Sequence, residues 1–105
     1  MTDIKNTRVP WSNPTSYAFS RASVMLHVPE RSGIYVVQSE STWIYVGEGE
    51  NIRAQLLEHL DGNNPCITVF PGLMFSYELV ARAARAWRHN ELVSEFRPLC
   101  NPSRR

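Results

Sequence analysis

Two short runs rich in β-branched and aromatic residues, Gly33-Ile34-Tyr35-Val36-Val37 and Thr42-Trp43-Ile44-Tyr45-Val46, flank the polar stretch Gln38-Ser39-Glu40-Ser41. Such residues suit a pleated, half-buried surface, and a polar break this short leaves only an antiparallel hairpin. A hairpin centred on Glu40 pairs positions that sum to about 80, which sets Tyr35 opposite Tyr45 and Val37 opposite Trp43. Two tyrosines, each close to a glycine, then share one face. From the pattern alone they read as an ordinary cross-strand aromatic pair ahead of two walls of a working site.

The rest of the chain supplies what this hairpin packs against. Pro10, Pro14, Asn6, Ser12 and Asn13 mark residues 1–14 as an extended arm, and Tyr17, Phe19, Ala22, Val24, Met25 and Leu26 read as a short helix that ends before Pro29. Asn51 is a good N-cap for a helix carrying Ile52, Leu56, Leu57 and Leu60, which Asp61-Gly62 stops. Residues 66–70 are undecided between helix and strand. Leu73–Val80 reads as a third strand, and Ala81–Phe96, free of Gly and Pro, as a last helix before Pro98. This order predicts an α/β (α+β) fold: a three-stranded antiparallel sheet flanked by helices, with 1–28 as arm and short helix packed on the core and 29–105 as the domain proper.

At 105 residues, 43% of them hydrophobic, the chain can bury one modest core. Eleven Lys and Arg against ten Asp and Glu leave a formal charge of +1, so no global field draws it to a polyanion or a membrane. Any such binding must come from local clustering. Cys66 and Cys100 lack a partner at metal-ligand spacing and are too few for a disulfide framework, which predicts reduced thiols and a cytoplasmic location. No run approaches the length of a membrane span, and the N-terminus carries no apolar leader.

The tripeptide GIY at 33–35, followed ten residues later by YVG at 45–47, resembles the GIY-YIG nuclease family, with Val46 for its central isoleucine. The similarity continues through Asn51-Ile52 opening a helix that ends Leu57-Glu58-His59-Leu60, then Asn90-Glu91-Leu92-Val93, and finally Phe96-Arg97-Pro98-Leu99-Cys100-Asn101. It runs in order from Pro29 to Asn101. The resemblance implies cleavage of phosphodiester bonds with one divalent metal, Mg²⁺ or Mn²⁺. Tyr35 would be the base or water-orienting group, Tyr45 a hydrogen-bond donor to phosphate or water, and His59 a proton shuttle or phosphate donor. The family also supplies an arginine on the first core helix and a metal-binding glutamate on the last, where this chain has Gln55 and His89. Both a cation and a hard carboxylate are what phosphoryl chemistry asks for.

No neighbour replaces them simply. Arg53 is two residues from Gln55, about 200° around a helix. Glu91 lies about 160° around from His89, which makes it a solvated residue bonded to Arg88 unless a slipped alignment or a π-bulge brings it inward as the metal carboxylate. His89 reads as a core-facing, hydrogen-bonded histidine on an arc with Ala86, Leu92, Val93 and Phe96; with His59 it could instead form a Zn²⁺ or Mn²⁺ pair. Glu48 and Glu50 would repel phosphate at the second motif. Arg82, Arg85 and Arg88 recur at i, i+3 and i+6, as a solvated arginine face or a nucleic-acid-binding patch, with Arg97, Arg104 and Arg105 beyond. Trp11, Trp43 and Trp87 either stack on bases or fill core.

Three functions are therefore expected in competition. The first is a nuclease-like domain with lost or reduced cleavage that binds nucleic acid, DNA ahead of RNA. The second is an active metal-dependent endonuclease with a rearranged site using Glu91. The third is a non-catalytic protein-interaction subunit or homodimer that needs no cofactor.

Overall fold

The computed structural model describes residue 11, residues 15–40 and residues 42–102. Most of the N-terminal arm, Arg104 and Arg105 lie outside these residues. The element order is β1 (Tyr17–Ala18), α1 (Arg21–His27), β2 (Gly33–Ser39), β3 (Thr42–Gly49), α2 (Ile52–Leu60), α3 (Pro65–Thr68), β4 (Leu73–Leu79) and α4 (Arg82–Phe96). The strands form one antiparallel sheet in the order β1-β4-β2-β3. This is the α+β architecture expected, with four strands where three were predicted.

The added strand comes from the segment read as helix throughout. Tyr17 and Ala18 pair with Phe75 and Met74 before Ser20 caps α1, its hydroxyl accepting from the Ser23 amide at 3.2 Å. The cap sits after the aromatic pair and so divides the apolar run between strand and helix. Of α1 itself only Val24 is buried, while Leu26 stands 77% exposed.

Helices cover both faces of the sheet. Tyr35, Val37, Ile44 and Phe75 pack with Val24, Ile52, Leu56 and Ile67 from α1, α2 and α3. Ile34, Val36 and Val46 pack with Leu92 of α4, joined by Trp43, Val93, Phe96 and Trp11. Alternation of side chains along β2 therefore sorts its residues between the two layers. The segment 66–70 divides between the end of the four-residue α3, capped by the Asn64 side chain on the Cys66 amide at 3.1 Å, and the turn at Val69 and Phe70.

The hairpin register differs from the simple sum. Tyr35 pairs with Gly47 and Val37 with Tyr45, but Gln38 pairs with Trp43, so a bulge at Ile44 absorbs one residue of β3. The first strand of the hairpin also runs further than expected, to Ser39, because Glu40 takes a left-handed φ of 52° and tightens the turn, and the second starts at Thr42 as expected but continues to Gly49. Beyond the bulge Trp43 passes to the α4 face, where it stacks on Phe96 with ring centroids 4.1 Å apart. It does not share a face with Val37, and it fills core.

After α4, Arg97 adopts φ 51° and turns the chain back along the outer edge of β3. The Leu99 amide donates to the Trp43 carbonyl at 3.2 Å and the Cys100 amide to the Ile44 carbonyl at 2.8 Å. Asn101 then donates through Nδ2 to the Val46 carbonyl at 2.9 Å and accepts the Val46 amide on Oδ1 at 2.8 Å. An edge strand that would otherwise present bare backbone groups is closed. Cys100 is joined to Cys66 of α3 by a disulfide, which overturns the expectation of two reduced thiols. The two lie 34 residues apart in sequence, a separation that no spacing rule connects.

Candidate functional site

On the α2 face the sheet presents Tyr35 at its centre. Its register partners are Gly47 on β3 and Tyr77 on β4. A Cβ on Gly47 would overlap the Tyr35 ring itself, so the glycine of the second tripeptide is what lets the phenol lie flat across β3. Tyr45 is thus a diagonal neighbour of Tyr35 and not its directly opposed partner; the ring centroids are 6.2 Å apart.

Helix α2 brings the third member. Asn51 caps it, accepting from the Ala54 amide at 3.0 Å, and Ile52, Leu56 and His59 recur at spacings that keep all three on the buried side. His59 Nε2 lies 2.7 Å from the Tyr35 hydroxyl, and its ring meets that of Tyr45 edge-on at 5.1 Å. Burial pushes the Tyr35 phenol far above its ordinary range, with the neighbouring Tyr45, Glu58 and Glu48 adding to the effect. Burial likewise raises Tyr45 and lowers His59, the latter against the opposing influence of Asn63 and Glu58. A protonated phenol and a neutral imidazole therefore share one hydrogen bond at neutral pH. His59 Nδ1 is buried with no hydrogen-bond partner among the described residues. This cluster can orient a hydroxyl or a proton. It contains no cation to meet a developing oxyanion.

Gln55 precedes His59 by one helical turn and presses on β3 where a Cβ at Gly49 would lie 2.8 Å from its Cγ. Arg53 leaves in another direction, donating through Nε to the Val28 carbonyl at 2.8 Å. His89 belongs to α4, and its Nε2 is spent on the Val46 carbonyl at 3.0 Å. It is thus hydrogen-bonded to the edge strand. Ala86, placed on the same apolar arc by the helical wheel, is exposed.

The three arginines of α4 meet carboxylates. Ile34 has Glu48 as its register partner on β3 and Glu78 on β4, so two acids flank one buried isoleucine on the α4 face. Arg85 Nε donates to Glu48 at 2.9 Å, and Arg88, one turn on, to Glu78 at 2.8 Å and to Glu91 at 2.7 Å. Arg88 is 4% exposed, which removes it from any solvated face. Glu91 is equally far from solvated, its side chain only 7% exposed beside Arg88. Arg82 is the open member, 81% exposed in a 3.2 Å pair with Glu50. Trp11, recognised in the sequence only as a base-stacking or core residue, has its ring within 5.9 Å of the Arg88 guanidinium, and its Nε1 donates to Ser76.

A divalent cation does not fit this donor set. Among the described residues no group of three or more His, Cys, Asp or Glu is arranged to hold a metal ion. Glu91 is bonded to a guanidinium, His89 to a carbonyl, and His59 stands in the α2 layer apart from the α4 layer of His89. Sequence reading gave Asn101 no role beyond the closing segment, though it holds the peptide of Val46 beside Tyr45; its position after Pro98 was the one available signal.

Solved structures with this fold are GIY-YIG N-terminal endonuclease domains of UvrC from Thermotoga maritima. The magnesium-bound form is 18% identical with a TM-score of 0.68, covering 78% of this chain and 96% of that chain. A point mutant with an asparagine replaced by alanine, bound to its catalytic divalent cation, is 16% identical with a TM-score of 0.68 over 79% and 96%. At that identity the likeness establishes a divergent GIY-YIG fold. No family model matches the chain, and no curated protein does.

Proposed function

We propose, from the premise that this chain carries a divergent GIY-YIG fold, that it is a nuclease-like domain which binds nucleic acid, DNA ahead of RNA, with phosphodiester cleavage lost or much reduced. One observation carries the reading: the Tyr35, Tyr45 and His59 cluster is assembled, while Gln55 and His89 occupy the positions where the family resemblance expects a cation and a metal carboxylate. A rearranged active site would need Glu91, and Glu91 is engaged by Arg88. Polyanion contact on α4 falls to Arg82, the arginine whose pairing is exposed, and to Arg85 only where phosphate displaces Glu48.

The interaction-subunit reading has support of its own in Trp87, 62% exposed on α4 with the exposed residues Ala83, Ala84 and Asn90 around it. A cytoplasmic setting loses its support from free thiols now that the cysteines are paired. No helix among the described residues is long and apolar enough to cross a membrane.

The test is incubation with plasmid and with single-stranded DNA in Mg²⁺ or Mn²⁺, alongside a salt-dependent binding curve. Binding that weakens with salt, without strand scission, is the expected result. Metal-dependent cutting abolished by Tyr35→Phe would overturn the loss of cleavage, and absence of binding at low salt would transfer the domain to protein partners.

A further inference from the structure

The segment that closes β3 is held in place by two kinds of tie. Hydrogen bonds from Leu99, Cys100 and Asn101 engage the outer groups of Trp43, Ile44 and Val46, and the disulfide anchors Cys100 to α3. Those hydrogen bonds gather around the bulge at Ile44, where ladder pairing is already interrupted. Among the described residues no other strand pairs with this side of β3. The anchor itself is reachable: Cys66 is exposed on a helix of only four residues, while Cys100 is half-buried against the core.

We infer that the Cys66–Cys100 bond is a thiol-operated latch, and that its reduction frees the segment 99–101 from the outer edge of β3. The reaction is ordinary exchange. A small thiolate attacks the sulfur of Cys66, the exposed residue of the pair, the S–S bond breaks, and Cys100 leaves as thiolate and takes a proton. A second thiolate attacks the external sulfur of the mixed disulfide and releases Cys66. Two thiols are oxidised to one disulfide as the protein cystine is reduced to two cysteines. Opening uncovers the backbone of residues 43–46, so the thiol state reaches the strand that carries Tyr45.

Amide hydrogen exchange on the whole chain tests this, with oxidised glutathione or dithiothreitol setting the state. In the oxidised protein the amides of Val46, Leu99 and Cys100 exchange as slowly as those of Val36 and Val37, which lie on the central strand β2. On reduction the three edge amides become at least about tenfold faster than the two central ones, because local opening no longer waits on the anchor. Edge and centre amides that keep the same relative rates in both states would overturn the latch, as would two titratable thiols after treatment with oxidised glutathione. Cys66→Ser, which removes none of the groups that make the hydrogen bonds of the segment, is expected to show the reduced pattern with or without dithiothreitol. A Cys66→Ser protein with the slow oxidised pattern would also refute it.

Discussion

The ring of Tyr35 rests on the bare Cα of Gly47, its register partner, and its hydroxyl reaches His59 Nε2 at 2.7 Å. Gly47→Ala puts a methyl group where the ring lies, and with backbone on one side and a packed core on the other the phenol has to move. Overpacking of this kind costs about 1–3 kcal/mol. The expected result is a lower urea midpoint together with altered His59 ring resonances. An unchanged midpoint and unchanged His59 shifts would refute the contact.

His59 links that cluster to pH. Burial holds its imidazole below the ordinary value, so the fold prefers the neutral ring and the unfolded chain takes up the proton first as pH falls. The stability it contributes is complete above about pH 6.5 and is lost as pH drops from there through the folded value. Urea midpoints measured downward from neutrality should fall over this window, and His59→Gln should flatten the slope. A wild-type profile already flat there would remove His59 as the cause.

Two arginines of α4 should behave very differently. For Arg88, burial opposes the charge, yet hydrogen bonds and attraction from Glu78 and Glu91 outweigh it and raise its pKa. Arg88→Ala strands two acids beside the sheet and is expected to cost about 3–5 kcal/mol. Arg82→Ala, in an exposed pair, should stay within about 1 kcal/mol. Denaturant unfolding of both variants measures the contrast; equal costs would contradict the placement of the carboxylates on either side of Ile34.

Asn101 satisfies both backbone groups of Val46 with one side chain. Asn101→Ala leaves the Val46 amide without that partner, while its carbonyl keeps His89, so the expected loss is about 1–3 kcal/mol. Faster exchange of the Val46 amide in the variant is the accompanying sign. A variant as stable as wild type, with Val46 equally protected, would show that the segment is held without it.

Much of the framework was legible because it is local. The hairpin shows in alternation and β-branching, α2 in the Asn51 cap and the Ile52, Leu56 periodicity, and the end of α4 in Pro98. Ordered tripeptides at 33–35 and 45–47 pointed to the family whose fold the solved structures share. The helical wheel placed Leu92, Val93 and Phe96 against the core correctly but misplaced Ala86, Arg88 and Glu91, since it treated apolarity as the guide to burial. The sheet offered carboxylates on two strands, and the helix turned Arg85 and Arg88 inward to meet them.

By itself, then, the sequence determined the hairpin with its two tyrosines, the helix that carries His59, and the strand and helix that follow it, β4 and α4. Each is a matter of residue type and short spacing, where propensity, capping and periodicity act within a few residues. Tertiary structure alone decided that Tyr35 lies on Gly47 with Tyr45 diagonal to it, that Glu91 is buried, and that Cys66 meets Cys100. Those outcomes depend on a one-residue bulge, on which strands lie beneath α4, and on a return of the chain across 34 positions, all set by packing between elements far apart in sequence.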